Sequence, residues 1–233
     1  MCVACLSLIV VATDAALAKT LSADAPDKVR KALHMAHAGD VESMFKVASY
    51  LQTQSAPDND DDEMATLAFG WALLAARNGH AQSAELTGVM YRTGAGVPQN
   101  FVKSRKWLER ARARGSREAN FELAILYASE DNPSMDRAKS ASFLAEAIRM
   151  SEPRACLITA WRKIDQGVEL KRTLGEIRCA AEGGIPAAME MIAEYHLTKR
   201  SPQAEAHART WLLKAIEGGS DKAASRLAAL ESR

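Results

Sequence analysis

Strong net charge is missing from this chain. Thirty Lys and Arg stand against 29 Asp and Glu, a formal net charge of +1, so no overall field draws it to nucleic acid or anionic lipid, and any charged partner must be recognised locally. Long apolar runs are missing too: the stretch from Val3 to Ala12 is shorter than the about 20 apolar residues a bilayer needs, so no stable membrane span is expected. Cysteine is scarce, four residues at irregular spacing, which excludes a disulfide-dense scaffold. Alternating β-branched residues are rare while alanine is abundant, which favours closely packed helices over sheets. With 233 residues, 48% of them hydrophobic, the chain has material for one or two ordinary domains.

The first eighteen residues place small Ala16 and Ala18 after the apolar run, the pattern of an export signal cleaved before Lys19. Residues 19–233 would then be a periplasmic or secreted domain, and Cys2 and Cys5 would leave with the signal. No Lys or Arg precedes the run, which keeps a second reading open: the frayed first helix of a cytosolic scaffold. A lipid anchor at Cys5 does not fit, because that residue opens the apolar stretch instead of closing it.

What the chain does have is a period. Trp71 lies 36 residues before Trp107 and Phe143 lies 36 after it; a slot near Glu176 lacks its aromatic, and Trp211 resumes the series. Behind each anchor comes Ala four residues on and Gly eight on: Ala75 and Gly79, Ala111 and Gly115, Ala147 with Ser151 in the glycine slot, Ala215 and Gly219. Spacings of four and eight share one helical face, and the glycine ends the helix in a left-handed cap. A second helix follows each glycine, as in Gly115, Ala119, Leu123, Ala124, Tyr127, and Gly39, Ser43, Val47, Ala48, Leu51 fit the same frame. Helical hairpins repeated at this period imply a stacked array, since one pair cannot bury its apolar face alone. The expected fold is all-α: a right-handed α-α superhelix of about five to six antiparallel helix pairs, closed by a helix from Asp221 to about Leu230.

Gly88-x-x-Tyr91-x-x-Gly94-x-Gly96-Val97, followed by Lys103, Lys106-Trp107-Leu108 and Ala111-x-x-x-Gly115, resembles the Sel1-like repeat, a relative of the tetratricopeptide repeat. The resemblance runs over residues 27 to 233 and is strongest in this unit; the turn at 129 to 135 keeps the length without the glycines, and the turn around Asp58 is longer than the period. It implies a tetratricopeptide-like solenoid that binds a protein or peptide segment in a concave groove formed by the first helix of each pair. Carried over by position, the groove residues are Phe45 and Ser49; Glu85, Val89 and Arg92; Phe121 and Ile125; Leu157, Trp161 and Ile164. Trp161 occupies no packing slot of the repeat, so it either fills a local core or anchors a bound segment.

Other motifs read as structure. Gly94 and Gly96 match neither a P-loop nor a dinucleotide fingerprint and suit a tight reversal between helices, with Pro98 stiffening the exit. Lys103, Lys106, Arg110, Arg114 and Arg117 form a basic stripe without interleaved aromatics, a solvated face instead of a single-strand binder. The acidic run Asp58 to Glu63 begins like a calcium loop but lacks the glycine and the closing acid. His34 and His37 share a helix face without a third ligand, so no metal, and likewise no cofactor, is expected.

Cys156 begins one helix and Cys179 ends the next, with the Gly167 turn midway, so the two come close. If the protein is exported they can form a disulfide closing a loop of about 24 residues, on the order of 3 kcal/mol; two buried free thiols remain the alternative. The cysteine-rich branch of the resembled family, linked to penicillin hydrolysis, bridges its helix pairs with regular cysteines that this chain lacks. With no catalytic constellation apparent, the sequence is read as a non-catalytic adaptor or regulator of a bacterial envelope. A hydrolase of β-lactams or cell wall and a cytosolic scaffold are the alternatives.

Overall fold

The computed structural model describes residues 26–55 and 63–231; the first eighteen residues and most of the acidic run, Asp58 to Asp62, lie outside them. Within the described residues the chain is all-α, with no strand. Helices α1 (Asp27–His37), α2 (Val41–Gln54), α3 (Glu63–Arg77), α4 (Ala81–Thr93), α5 (Phe101–Ala113) and α6 (Glu118–Ala128) belong to a first compact unit ending at Asp136. The second unit contains α7 (Arg137–Arg149), α8 (Pro153–Asp165), a 3-10 turn at Leu170–Thr173, α9 (Leu174–Glu182), α10 (Pro186–Leu197), α11 (Pro202–Glu217) and α12 (Asp221–Glu231). Inside each unit a helix packs mainly on its sequence neighbours, most extensively α2 on α3, α4 on α5 and α10 on α11. These are the hairpins of the expected α-α solenoid.

The periodic slots do the packing. The alanines four residues before the glycine slots, Ala75, Ala111, Ala147, Ala180 and Ala215, are all completely buried, which lets paired helices approach closely. Trp71 and Trp107 are buried beside them, and Trp211 is partly buried.

The glycine slots close the helices as the sequence predicts. Gly79 has φ 96°, its N–H reaching Ala76 O at 3.2 Å, and His80 N–H reaches Ala75 O at 3.1 Å. These two hydrogen bonds satisfy carbonyls that a helix end leaves open. Ser151 takes the same left-handed turn, φ 55°, with Glu152 N–H bonded to Ala147 O at 2.9 Å. The turn that opened on Gly94 works differently. Gly94 caps α4 in the left-handed region, and Gly96 presses on α3, where a Cβ would stand 2.1 Å from Ala65 O. These glycines shape a backbone contact.

Candidate interaction surface

At five of the six glycine slots the next residue caps the following helix with its side chain; after Gly184, Ile185 makes no such bond. Asp40 accepts Ser43 N–H at 2.9 Å, His80 Nδ1 accepts Ser83 N–H at 3.1 Å, and Ser116 Oγ accepts Ala119 N–H at 3.2 Å. Glu152 does the same for Ala155 at 2.6 Å and Ser220 for Ala223 at 3.1 Å. Each bond satisfies an N–H that the helix itself cannot, typically about 1 kcal/mol. The caps also reach back to the preceding repeat: His80 Nε2 lies 3.2 Å from Glu42, Ser116 donates to Glu85 at 3.2 Å, and Ser220 donates to Glu190 at 2.6 Å. The sequence period passed over this slot. Its signal was available, since Asp, Ser and Glu follow glycine or its substitute in phase.

This frame places the residues predicted to face a partner. Phe45 on α2 is partly buried, its ring centroid 4.9 Å from that of His80. With Ser49 it lines a cavity of about 760 Å³ between α1 and α2, whose other walls include Val29, Ala32, Met35 and Tyr50 and whose lysines are Lys28, Lys31 and Lys46. Met35 is 43% exposed.

Glu85 and Arg92 on α4 are engaged inside the first unit. Glu85 accepts from Ser116, while Arg92 meets Glu122 of α6 at 3.1 Å with the Glu122 side chain almost wholly buried. Val89 and Ile125 are partly buried, and Phe121 is buried. In the second unit Leu157 is buried, Ile164 is partly buried, and Trp161 stands 47% exposed on α8 and so fills no core. Phe121 and Leu157 therefore have little surface to offer a partner. The basic stripe is exposed apart from internal contacts: Arg110 lies 4.6 Å over the Trp107 ring and Arg117 pairs with Glu118 at 2.7 Å. His37 packs against Trp71 with ring centroids 5.3 Å apart.

Cys156 and Cys179 are bonded to each other, their Cα atoms 6.1 Å apart, joining α8 to α9. Among the described residues no helix is long and apolar enough to cross a membrane.

Three stretches, 41–80, 81–116 and 186–220, match the Sel1 repeat; they coincide with the α2/α3, α4/α5 and α10/α11 hairpins. The fold is similar to that of a Sel1 repeat protein from Oxalobacter formigenes, at 18% identity and TM-score 0.64, over 89% of this chain and 60% of that one. It is similar to a protective antigen of uropathogenic Escherichia coli with an SLR fold, at 19% identity and TM-score 0.54, over 82% of this chain and 41% of that one. An immunity protein from Pseudomonas aeruginosa aligns at 18% identity and TM-score 0.56, over 79% and 68% of the two chains. At such identities the likeness is one of fold, and the chain spans about 60% of the Oxalobacter protein's length. No curated protein sequence matches significantly. Sel1-repeat solenoids typically mediate protein–protein contacts and are in general non-catalytic scaffolds. The chain thus carries three Sel1 repeats, each in phase with one of its helical hairpins.

Proposed function

We propose that the protein is a non-catalytic adaptor or regulator of a bacterial cell envelope that holds a protein segment on its repeat helices. The observation that carries this reading is the preformed cavity between α1 and α2, where Phe45 and the exposed Met35 offer apolar contact. Exposed apolar side chains in a concave, already ordered surface favour binding with little backbone change. In the first unit, Val89 and Ile125 extend the partner-facing set along the later helices. In the second unit, Trp161 is a separate anchor, and a large aromatic side chain at the surface is the type that dominates binding energies.

Export is part of the reading. The apolar run at Val3 to Ala12 supports it as a signal, and the Cys156–Cys179 bond supports it because disulfides persist in oxidising compartments. Affinity capture with the wild type, Phe45→Ala and Trp161→Ala, each checked for an unchanged melting temperature, tests the surface. Loss of a shared partner in either variant agrees with it, and identical partner sets in all three reject it. A mature N-terminus at Lys19 agrees with export; a retained Met1 rejects it.

A further inference from the structure

Between α9 and α10 lies a hollow of about 180 Å³ lined by Leu174, Arg178, Ile192, Tyr195, His196 and Lys199. Its apolar part is Ile192, which is buried, with Leu174 and Tyr195, which are partly so. Its charged side chains, Arg178 and Lys199, and its histidine, His196, are basic. Lys199 Nζ stands 4.6 Å over the Tyr195 ring, and the His196 ring faces His207 of α11 at 5.2 Å between centroids.

Neither Arg178 nor Lys199 forms an ion pair with any described residue. Three nearby carboxylates are already taken: Glu176 by Lys163, Glu190 by Lys222 at 3.3 Å, and Glu194 by Arg226 of α12 at 3.4 Å; Glu182, one turn along α9 from Arg178, does not line the hollow. Glu194 also lies about 200° around α10 from His196. Burial first, then the charges of Lys199, His207 and Arg178, hold the His196 imidazole below its ordinary range. A concave site with several basic groups and no carboxylate in its lining is an attractive field for an anion.

We propose that this hollow binds a small organic acid, its carboxylate held by Arg178, Lys199 and His196 and its apolar body resting on Leu174, Ile192 and Tyr195. The planar guanidinium matches a carboxylate through two parallel hydrogen bonds, and the apolar wall selects an organic acid over inorganic phosphate. This site is separate from the α1/α2 cavity and does not rest on the adaptor reading.

Benzoate is the probe, titrated calorimetrically into the full chain. Arg178→Gln and Lys199→Gln, both exposed positions that leave the fold intact, each weaken its binding about tenfold or more, and Lys171→Gln does not. Bound benzoate also moves the His196 proton titration, followed by NMR, to higher pH, because the added negative charge favours the imidazolium. A peptide ending in a free phenylalanine carboxylate, compared with its amide, separates the sources: binding of the peptide acid assigns a chain end, and binding of benzoate alone assigns a free acid. Benzamide or phosphate binding as tightly as benzoate, unchanged binding in both variants, or no benzoate binding overturns the proposal.

Discussion

One hydroxyl joins two repeats: Ser220 Oγ donates to Glu190 Oε1 at 2.6 Å while accepting the Ala223 N–H at 3.1 Å. The cap of α12 is thus also the tie to α10, and removing it breaks both. Ser220→Ala should lower stability by about 1 to 2 kcal/mol, and its effect should not add to that of Glu190→Gln, since neighbours in one network couple. A double-mutant cycle by urea unfolding measures the coupling.

Glu190 makes this tie pH-dependent. Burial raises its pKa, but the Ser220 and Lys222 hydrogen bonds and the Lys222 and Arg226 charges outweigh it, leaving a folded value below the ordinary 4.5. A depressed folded pKa means that the unfolded chain binds the proton more readily, so the stabilisation is fully present above pH 4.5 and is lost as pH falls through the folded value. Glu190→Gln should therefore be less stable than wild type near neutrality, with the gap closing in acid. Unfolding titrations across that range show it.

Ser151 occupies a glycine slot at φ 55°, where a Cβ is disfavoured by about 1 to 2 kcal/mol. Ser151→Gly should raise stability by about 1 kcal/mol after the glycine's extra unfolded-state entropy is subtracted. Thermal unfolding checks the sign.

Gly96 and Gly88 should differ when changed to alanine. A Cβ on Gly96 meets the Ala65 backbone at 2.1 Å, whereas on Gly88 its nearest neighbour is the Leu108 side chain at 2.7 Å. Backbone cannot yield as a leucine can, and Gly96 also sits at φ 65°. Gly88→Ala should cost about 1 to 3 kcal/mol and Gly96→Ala more, read from paired melts.

The Cys156–Cys179 bond closes a stretch with a sequence separation of 23. Cys156→Ser should cost about 3 kcal/mol under non-reducing conditions, and reduction of the wild type should cost a similar amount. Mass spectrometry of protein alkylated without reduction should find neither Cys156 nor Cys179 modified.

The hairpins were legible because buried alanines and capping glycines recur in phase: Ala75 with Gly79 and Ala111 with Gly115 identify themselves. Even Ser151 was placed in its slot, although only the backbone reveals its left-handed turn. Partner-facing residues were less legible. Arg92 and Glu122 are 30 residues apart in sequence, and nothing local announces that the arginine turns inward to that carboxylate instead of outward. Phe121 and Phe45 occupy the same repeat position, yet one is buried and the other lines a cavity, because packing around a slot depends on neighbouring helices. Glu190 is in phase with Phe45 and Glu85, but the anchor slot before Gly184 falls at Glu176 and carries no aromatic to mark the unit.

A photo-crosslinking amino acid at Ser49, inside the α1/α2 cavity, against the same group at the exposed Glu109 of α5, tests the interaction surface directly. The predicted result is a crosslinked protein from position 49 that disappears when Met35→Glu is added and is not formed from position 109. Crosslinking from 109 alone, or a position-49 adduct indifferent to Met35→Glu, would contradict it.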